Sequence, residues 1–257
     1  MSDRTEDKAL EQKEELNSAN DEPTAEDEGN MSIIRHLEEL RSRLIKCLLS
    51  VAAGSFICWF YIDDIMRLLT LPAGKLYYMQ PSEAFFTYIK VAVGAGFLLA
   101  LPVIFFEVWR FFLPALTARE RTVLGVLVPS SVLLFFVGLA FSFFLVLPAA
   151  LKFFLSFGGE DLTAMFSVGK YFDFVLMFIL PFGFVFELPL VIIVLGKMGI
   201  VNSSALKKYW RVVVFASFVL GAIITPTPDI FTQSMIALPM IVLYGISYLA
   251  VRYVIGN

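Results

Sequence analysis

Charged residues are scarce in this sequence. Lysine, arginine, aspartate and glutamate make up only 17% of the 257 residues, whereas 58% are hydrophobic and the mean hydropathy is +0.79. A soluble domain is nearer half apolar and about a quarter charged. The chain therefore has too little polar surface to cover itself in water, and we expect lipid to surround most of it.

Motifs for catalysis and for cofactor or metal binding are also missing. The sequence contains no HExxH, GxSxG, GxGxxG or phosphate-loop pattern, and its single histidine is His36. The two cysteines, Cys47 and Cys58, fall within one predicted helix and lie too far apart along it to form a disulfide. We therefore expect no enzyme activity, no cofactor, no metal site and no nucleic-acid partner.

The first 30 residues differ from the rest in charge. They contain 11 acidic and 3 basic residues, a net charge of −8, whereas residues 31–257 carry +5. Because segment 1–30 has almost no large apolar side chain, it cannot bury enough surface to offset the entropy of ordering. We predict a disordered acidic cytoplasmic tail at 1–30 and a membrane domain at 31–257.

Six long apolar runs follow the tail. A helix needs about 20 residues to cross the hydrocarbon of a bilayer, and runs such as VLLFFVGLAFSFFLVL lack the alternation of a barrel strand. The predicted fold class is therefore all-α, a polytopic membrane protein with six transmembrane helices. The predicted spans are 44–62, 84–108, 123–147, 171–196, 209–225 and 231–251. The fifth is the weakest, because it is short and ends at ITPTPD.

Prolines occur within or near the ends of several spans. An interior proline removes a backbone hydrogen bond and bends its helix. Several bent helices together predict a concave wall rather than a straight bundle. The prolines concerned are Pro102, Pro129, Pro148, Pro181, Pro189 and Pro239.

The distribution of basic residues predicts the orientation. One side of the six-span arrangement receives 12 lysines and arginines of residues 31–257, and the other receives 5. The five are Arg67, Lys75, Lys90, Lys152 and Lys170. Basic residues are retained on the cytoplasmic side, so both termini should be cytoplasmic.

Residues 31–48 form a different kind of element. Apolar residues recur there every three or four positions, which places them on one helical face. We predict an amphipathic helix at the cytoplasmic interface that runs into the first span. The apolar face contains Ile33, Ile34, Leu37, Leu40, Leu44 and Leu48.

Acidic residues are the informative polar features. Glu187 lies deep in the fourth run, where a charge costs on the order of 3 kcal/mol, so it should face a cavity, a partner or a functional path. Alternatively, it is a neutral acid bonded to a neighbouring helix. Glu39 and Glu120 are predicted near the cytoplasmic face and would, taken alone, be solvated surface residues. Asp229, in TPTPD, would alone be a turn-former.

Four segments, taken together, resemble the TatC family, the receptor subunit of the twin-arginine protein translocase. In chain order they are HLEELRSRL, FEVWRFFLPALTARER, FGFVFELPL and TPTPDIFTQ, and the similarity covers residues 31–257. The resemblance implies export of folded proteins across the bacterial cytoplasmic (inner) membrane, driven by the protonmotive force. It also implies binding of signal peptides that carry paired arginines, recruitment of TatA- and TatB-type single-span proteins, and self-association.

The resemblance also implies roles for individual residues. The positions that match the signal-peptide-binding site are Glu39, Glu120, Phe111, His36 and Arg41. The intramembrane polar position that contacts partner helices matches Glu187, and two outward-loop positions match Asp229 and Pro72.

Two other functions remain open at this stage. A proton-coupled carrier of a small solute, with Glu187 as the proton-binding residue, explains the intramembrane acid and the bent helices. It does not explain paired glutamates at the cytoplasmic surface. An intramembrane enzyme is disfavoured, because no nucleophile and base are evident within the spans.

Overall fold

The computed structural model describes residues 25–112, 121–157, 165–225 and 229–255. Side chains are described for 37–111, 125–157, 165–225 and 229–253. The chain divides into two compact units, one up to Leu48 and the other from Leu49 onward. The described part of the first unit is helical throughout, and the second unit holds the end of the same helix and all later elements.

Helices make up nearly all of the described elements. The first half contains α1 (Ala25–Trp59), α2 (Ile62–Thr70), β1 (Leu76–Tyr77), α3 (Pro81–Phe112) and α4 (Arg121–Phe141). A π-helical turn (Ser142–Val146) then leads into α5 (Leu147–Leu155). The second half contains β2 (Phe166–Ser167), α6 (Val168–Phe186), α7 (Leu188–Lys197), α8 (Ser203–Lys208), α9 (Trp210–Ile224), α10 (Ile230–Ala250) and a π-helical end (Val251–Ile255).

The start of α1 differs from the predicted domain boundary. Helix α1 begins at Ala25, within the predicted acidic tail and six residues before the predicted boundary at residue 31. Its first turn contains the acids Glu26, Asp27 and Glu28, and acidic residues there interact favourably with the helix dipole, which favours the earlier start. Where the membrane domain begins stays a prediction. Residues 1–24 lie outside the described part, so disorder there stays a prediction.

The predicted six-span architecture is confirmed. Five helical stretches are long and apolar enough to cross a bilayer: Leu37–Trp59, Pro81–Phe111, Gly125–Leu155, Val168–Lys197 and Ile230–Tyr253. The sixth apolar helix, α9, is shorter, as its sequence predicted. The concave wall stays a prediction.

Two of the spans are interrupted, and a proline follows each interruption. In the third span the π-helical turn separates α4 from α5, and Pro148 occupies the first turn of α5. In the fourth span Glu187 separates α6 from α7, and Pro189 occupies the first turn of α7. Proline is tolerated at these positions because the first residues of a helix have no intrahelical acceptor for their N–H groups.

Aromatic and aliphatic side chains from α3, α4 and α6 form the main core of the second unit. Leu101, Phe135 and Phe172 are among its most deeply buried members. A second cluster joins α6 to α10, with Phe178, Phe182 and Ile236 fully buried. The α9–α10 hairpin therefore packs on the central helices through α10.

Close contact between α4 and α6 depends on glycine. An added Cβ at Gly183 would lie 2.5 Å from ring carbons of Phe135, and one at Gly138 would lie 2.5 Å from the carbonyl oxygen of Phe182. Small residues permit this approach, which drives helix association where lipid supplies no hydrophobic force between helices.

The end of the second unit at which α3 and α6 begin is closed by a short parallel pairing. Leu76 in β1 is paired with Phe166 in β2. Glu83, in the first turn of α3, accepts hydrogen bonds from the backbone N–H groups of Met79 (2.7 Å) and Gly169 (2.8 Å), and from the Ser167 hydroxyl. We call this region, comprising β1, β2 and the first turns of α3 and α6, the cap end.

We predict that Gly183→Ala lowers the melting temperature of the purified protein in detergent. The new methyl group would collide with the buried Phe135 ring, and overpacking of this kind costs about 1–3 kcal/mol. Gly125→Ala, in α4, is the matched control because an added Cβ there meets nothing within 4 Å. Equal melting temperatures for the two variants would contradict the close α4–α6 contact.

Candidate functional site

The first candidate site lies on α1, in the first unit. Glu39 is partly exposed, with 45% of its side chain accessible, and it forms an ion pair with Arg43 one helical turn away. Arg41 is exposed, and the backbone of His36 belongs to the same helix. Glu39 is therefore a carboxylate that already holds a guanidinium group at an accessible position.

The apolar face predicted for this helix is exposed where side chains are described. Leu37, Leu40, Leu44 and Leu48 are all at least 43% accessible. An exposed row of leucines on a helix is suited to lipid or to an apolar partner segment.

The other predicted recognition residues flank the loop between α3 and α4. Phe111 is half-buried in the last turn of α3. Glu120 lies outside the described residues and directly precedes Arg121, the first residue of α4. The expectation that Glu39 and Glu120 face one shared hollow stays a prediction.

The second candidate site is a chain of polar groups inside the membrane domain. Glu187 is only 8% exposed and lies at the break between α6 and α7. The Ser131 hydroxyl of α4 donates a hydrogen bond to the Glu187 carboxyl group, and the indole N–H of Trp109 in α3 donates to Ser131 Oγ at 2.8 Å. Three spans thus converge on one acidic side chain.

One oxygen of this acid is left over. Oε1 of Glu187 is buried and has no hydrogen-bond partner among the described residues. A buried oxygen without a partner costs about 1–3 kcal/mol, so such groups are rare unless something else satisfies them. Glu187 is therefore held through one oxygen, while the other is enclosed by the protein without a partner in the described part of the chain.

Two of the residues hydrogen-bonded in this site were not predicted from the sequence. Trp109 and Ser131 each look like ordinary residues of an apolar span. Ser131 could have been predicted as a contact residue, because small hydroxyl side chains in transmembrane helices often form hydrogen bonds to a neighbouring helix.

Asp229 has a defined structural role at the start of α10. Its Oδ1 accepts from the Thr232 backbone N–H at 2.8 Å, and its Oδ2 accepts from the Thr232 hydroxyl at 2.6 Å. This is the N-cap arrangement, which satisfies a helix N–H that has no intrahelical acceptor. The Gln233 side chain then ties α10 to α9 by donating to the Phe218 carbonyl at 2.7 Å.

Pro72 follows α2 at the cap end. The chain turns there, with the N–H groups of Ala73 and Gly74 donating to the Thr70 carbonyl, and Gly74 adopts a φ of 73°. Proline cannot continue the helix, and glycine takes the left-handed conformation at low cost, so the pair ends α2 at this point.

The fold and these sites define a polytopic α-helical membrane protein with a buried acidic position and an acidic residue on its first helix. The family model described as Sec-independent protein translocase protein (TatC) matches residues 35–239. This match covers well over half of the chain. The chain belongs to the TatC family.

Individual members of the family are also similar to this chain over most of its length. The Sec-independent protein translocase protein TatC of Synechocystis is 41% identical over 85% of this chain and 87% of its own length. The TatC of Carboxydothermus hydrogenoformans is 36% identical over 87% of this chain and 94% of its own. The crystal structure described as twin arginine translocase receptor TatC superposes with a TM-score of 0.74 at 37% identity, covering 84% of this chain and 98% of that one.

Membership in this family decides between the functions left open by the sequence. The chain is a component of a protein translocase, and the family is not a family of enzymes. The small-solute carrier receives no support from these relatives.

We predict that Asp229→Ala destabilises the purified protein, whereas Asp229→Asn does not. Alanine removes the cap acceptor at a cost of about 0.5–2 kcal/mol, and asparagine is an equally good N-cap. Thermal unfolding in detergent measures the difference. If asparagine were as destabilising as alanine, the negative charge rather than the acceptor oxygen would stabilise this turn.

Proposed function

We propose that this protein is the receptor of a twin-arginine export system and binds signal peptides that carry an arginine pair. The observation that carries the proposal is the Glu39–Arg43 ion pair on α1, in a chain of the TatC family. An accessible carboxylate that binds an internal guanidinium has the chemistry needed to bind an incoming one. Membership in a translocase family supplies the context.

Arginine explains why acids are suited to this task. The guanidinium group is permanently charged and presents a planar fork of donors that matches a carboxylate in two-bond geometry, whereas lysine is a point charge. Glu39 and Glu120 would each accept one arginine of the signal. Phe111, His36 and Arg41 would complete the same site.

Ion pairs of this kind are too weak to bind a signal peptide by themselves. Exposed ion pairs contribute only about 0–1 kcal/mol each. Recognition therefore needs partial desolvation near the lipid headgroups and docking of the apolar part of the signal. The exposed leucine row of α1 offers a surface for that part.

We place the protein in the bacterial cytoplasmic membrane with both termini in the cytoplasm. The support is the excess of lysine and arginine, 12 against 5, at the ends that this orientation makes cytoplasmic. The cap end then faces outward. The sequence has no nucleotide-binding motif, which accords with transport driven by the protonmotive force.

Glu187 serves a separate purpose in this proposal. Its side chain would rotate so that Oε1, which is buried in this structure, accepts a hydrogen bond from a polar side chain on a single-span partner helix of the TatA or TatB type. Ser131 and Trp109 would orient the carboxyl group for that contact. Asp229 and Pro72 would fix the outward loops, as the helix cap of α10 and the turn after α2.

We predict that Glu39→Gln and Glu120→Gln each reduce photocrosslinking between Phe111, replaced by a photoreactive residue, and a twin-arginine signal peptide. The amide keeps the shape of the side chain and loses the charge that attracts arginine. Loss of one ion pair near the surface should weaken binding about twofold to fivefold.

Glu38→Gln is the matched control for this experiment. Glu38 is exposed and adjacent to Glu39, and it has no ion-pair partner among the residues with described side chains. A signal with two lysines in place of the arginines should crosslink weakly to every variant. Equal crosslinking of the arginine signal to the Glu38, Glu39 and Glu120 variants would refute the proposed role of Glu39 and Glu120 in binding the arginine pair.

We also predict that Glu187→Ala and Ser131→Ala weaken co-purification of the single-span partners. Hydrogen bonds between membrane helices contribute about 0.6 to 1.7 kcal/mol, so the loss should be about threefold to twentyfold. Ser142→Ala is the control, since Ser142 Oγ is also buried but has no hydrogen-bond partner among the described residues. If all three variants retained the partners equally, Glu187 and Ser131 would have a structural role only and would not bind a partner helix.

A further inference from the structure

A cavity at the cap end has no role in the function proposed above. It has a volume of about 800 Å³ and lies between the first turns of α3, the first turns of α6 and the end of α5. Phe86, Leu151, Phe154 and Phe174 supply apolar walls. Its size falls within the usual range for small-molecule sites.

Two acids and two lysines line the cavity, so their charges balance. Lys90 Nζ and Asp173 Oδ1 form an ion pair at 2.6 Å. The Glu83 carboxylate accepts hydrogen bonds from the N–H groups of Met79 and Gly169 and from the Ser167 hydroxyl, and it has no ion-pair partner among the described residues. Lys170 also lines the cavity and has no ion-pair partner among the described residues.

The depth of the cavity in the bilayer follows from the length of α3. With 32 residues and a rise of about 1.5 Å each, α3 is about 48 Å long, which exceeds the hydrocarbon thickness of about 30 Å. Its ends therefore reach the headgroups. Glu83, Thr87 and Lys90 lie in its first three turns, so the cavity spans the boundary between headgroups and hydrocarbon.

We propose that this cavity is a phospholipid-binding site. The phosphate of the lipid pairs with Lys170, and the upper part of one acyl chain lies against Phe86, Phe154 and Phe174. An apolar peptide segment would fill the same walls but would leave the lysine unmatched. A free phosphate would match the lysine but would leave the aromatic walls uncovered. A phospholipid satisfies both.

The test is native mass spectrometry of the full-length protein titrated with dioleoyl phosphatidylglycerol in detergent. Lys170→Gln should weaken lipid binding about fivefold, the effect expected for one basic residue near a membrane surface. Lys75→Gln is the control, because Lys75 is exposed in the same end of the molecule and does not line the cavity. Binding should be unchanged in that variant.

A second pair of variants tests the apolar wall. Phe85 and Phe86 are adjacent, and each is 57% exposed, but only Phe86 lines the cavity. Phe86→Ala should weaken lipid binding, and Phe85→Ala should not. Inorganic phosphate at equal concentration should not displace the lipid.

Three results would overturn the proposal. Equal lipid binding by the Lys170 and Lys75 variants would remove the headgroup contact. Displacement of the lipid by inorganic phosphate would reduce the site to an anion site. Displacement by an apolar peptide, with the Lys170 variant unaffected, would make the cavity a peptide groove. None of these results depends on whether the protein binds twin-arginine signals.

Discussion

The need to satisfy every backbone polar group inside the chain governs this structure. Hydrocarbon offers no hydrogen bonds, so a spanning segment must be helical, and any interruption must be covered by protein. The two interruptions meet this need in different ways. In the π-helical turn Phe144 and Leu145 are exposed, and the backbone stays bonded within the chain, with the Leu147 N–H donating to the Ser142 carbonyl. Between α6 and α7 the side chain of Glu187 is buried, and its backbone N–H donates to the Phe184 carbonyl.

A buried break such as the one at Glu187 is also where a membrane protein can hold a polar side chain. At Glu187 the helix stops and restarts, and the neighbouring spans contribute Ser131 and Trp109 to the same position. The close α4–α6 packing at Gly138 and Gly183 brings α4, which carries Ser131, near α6, which ends directly before Glu187. Packing by small residues and placement of the acid are parts of one arrangement.

Hydropathy and residue spacing predicted much of this fold. The spans and the short fifth helix could be predicted from the apolar runs, because segments that cross lipid must be long and apolar. Glu187 stood out as an acidic residue inside such a run, where a charge is costly. The Glu39–Arg43 pair was not predicted, although the two residues are four positions apart on one helix and such spacing favours an ion pair. The hydrogen bonds that join Trp109, Ser131 and Glu187 could not be predicted. They depend on how each helix is rotated about its own axis, and the sequence of one span does not determine that rotation. The role of Asp229 as a helix cap needed the boundary of α10.

The two acidic sites differ in environment, and that difference is suited to different tasks. Glu39 is partly exposed, so water and salt screen its contacts and a bound guanidinium can exchange. That is suited to the proposed signal peptide, which would bind and leave with every cargo. Glu187 is shielded, so an unmatched oxygen there is costly and a matching donor is held more firmly. That is suited to the proposed contact with a partner helix, which would outlast the contact with a signal peptide. If Glu39 were shielded and Glu187 exposed, the proposed receptor would release its signal slowly and hold the proposed partner helix weakly.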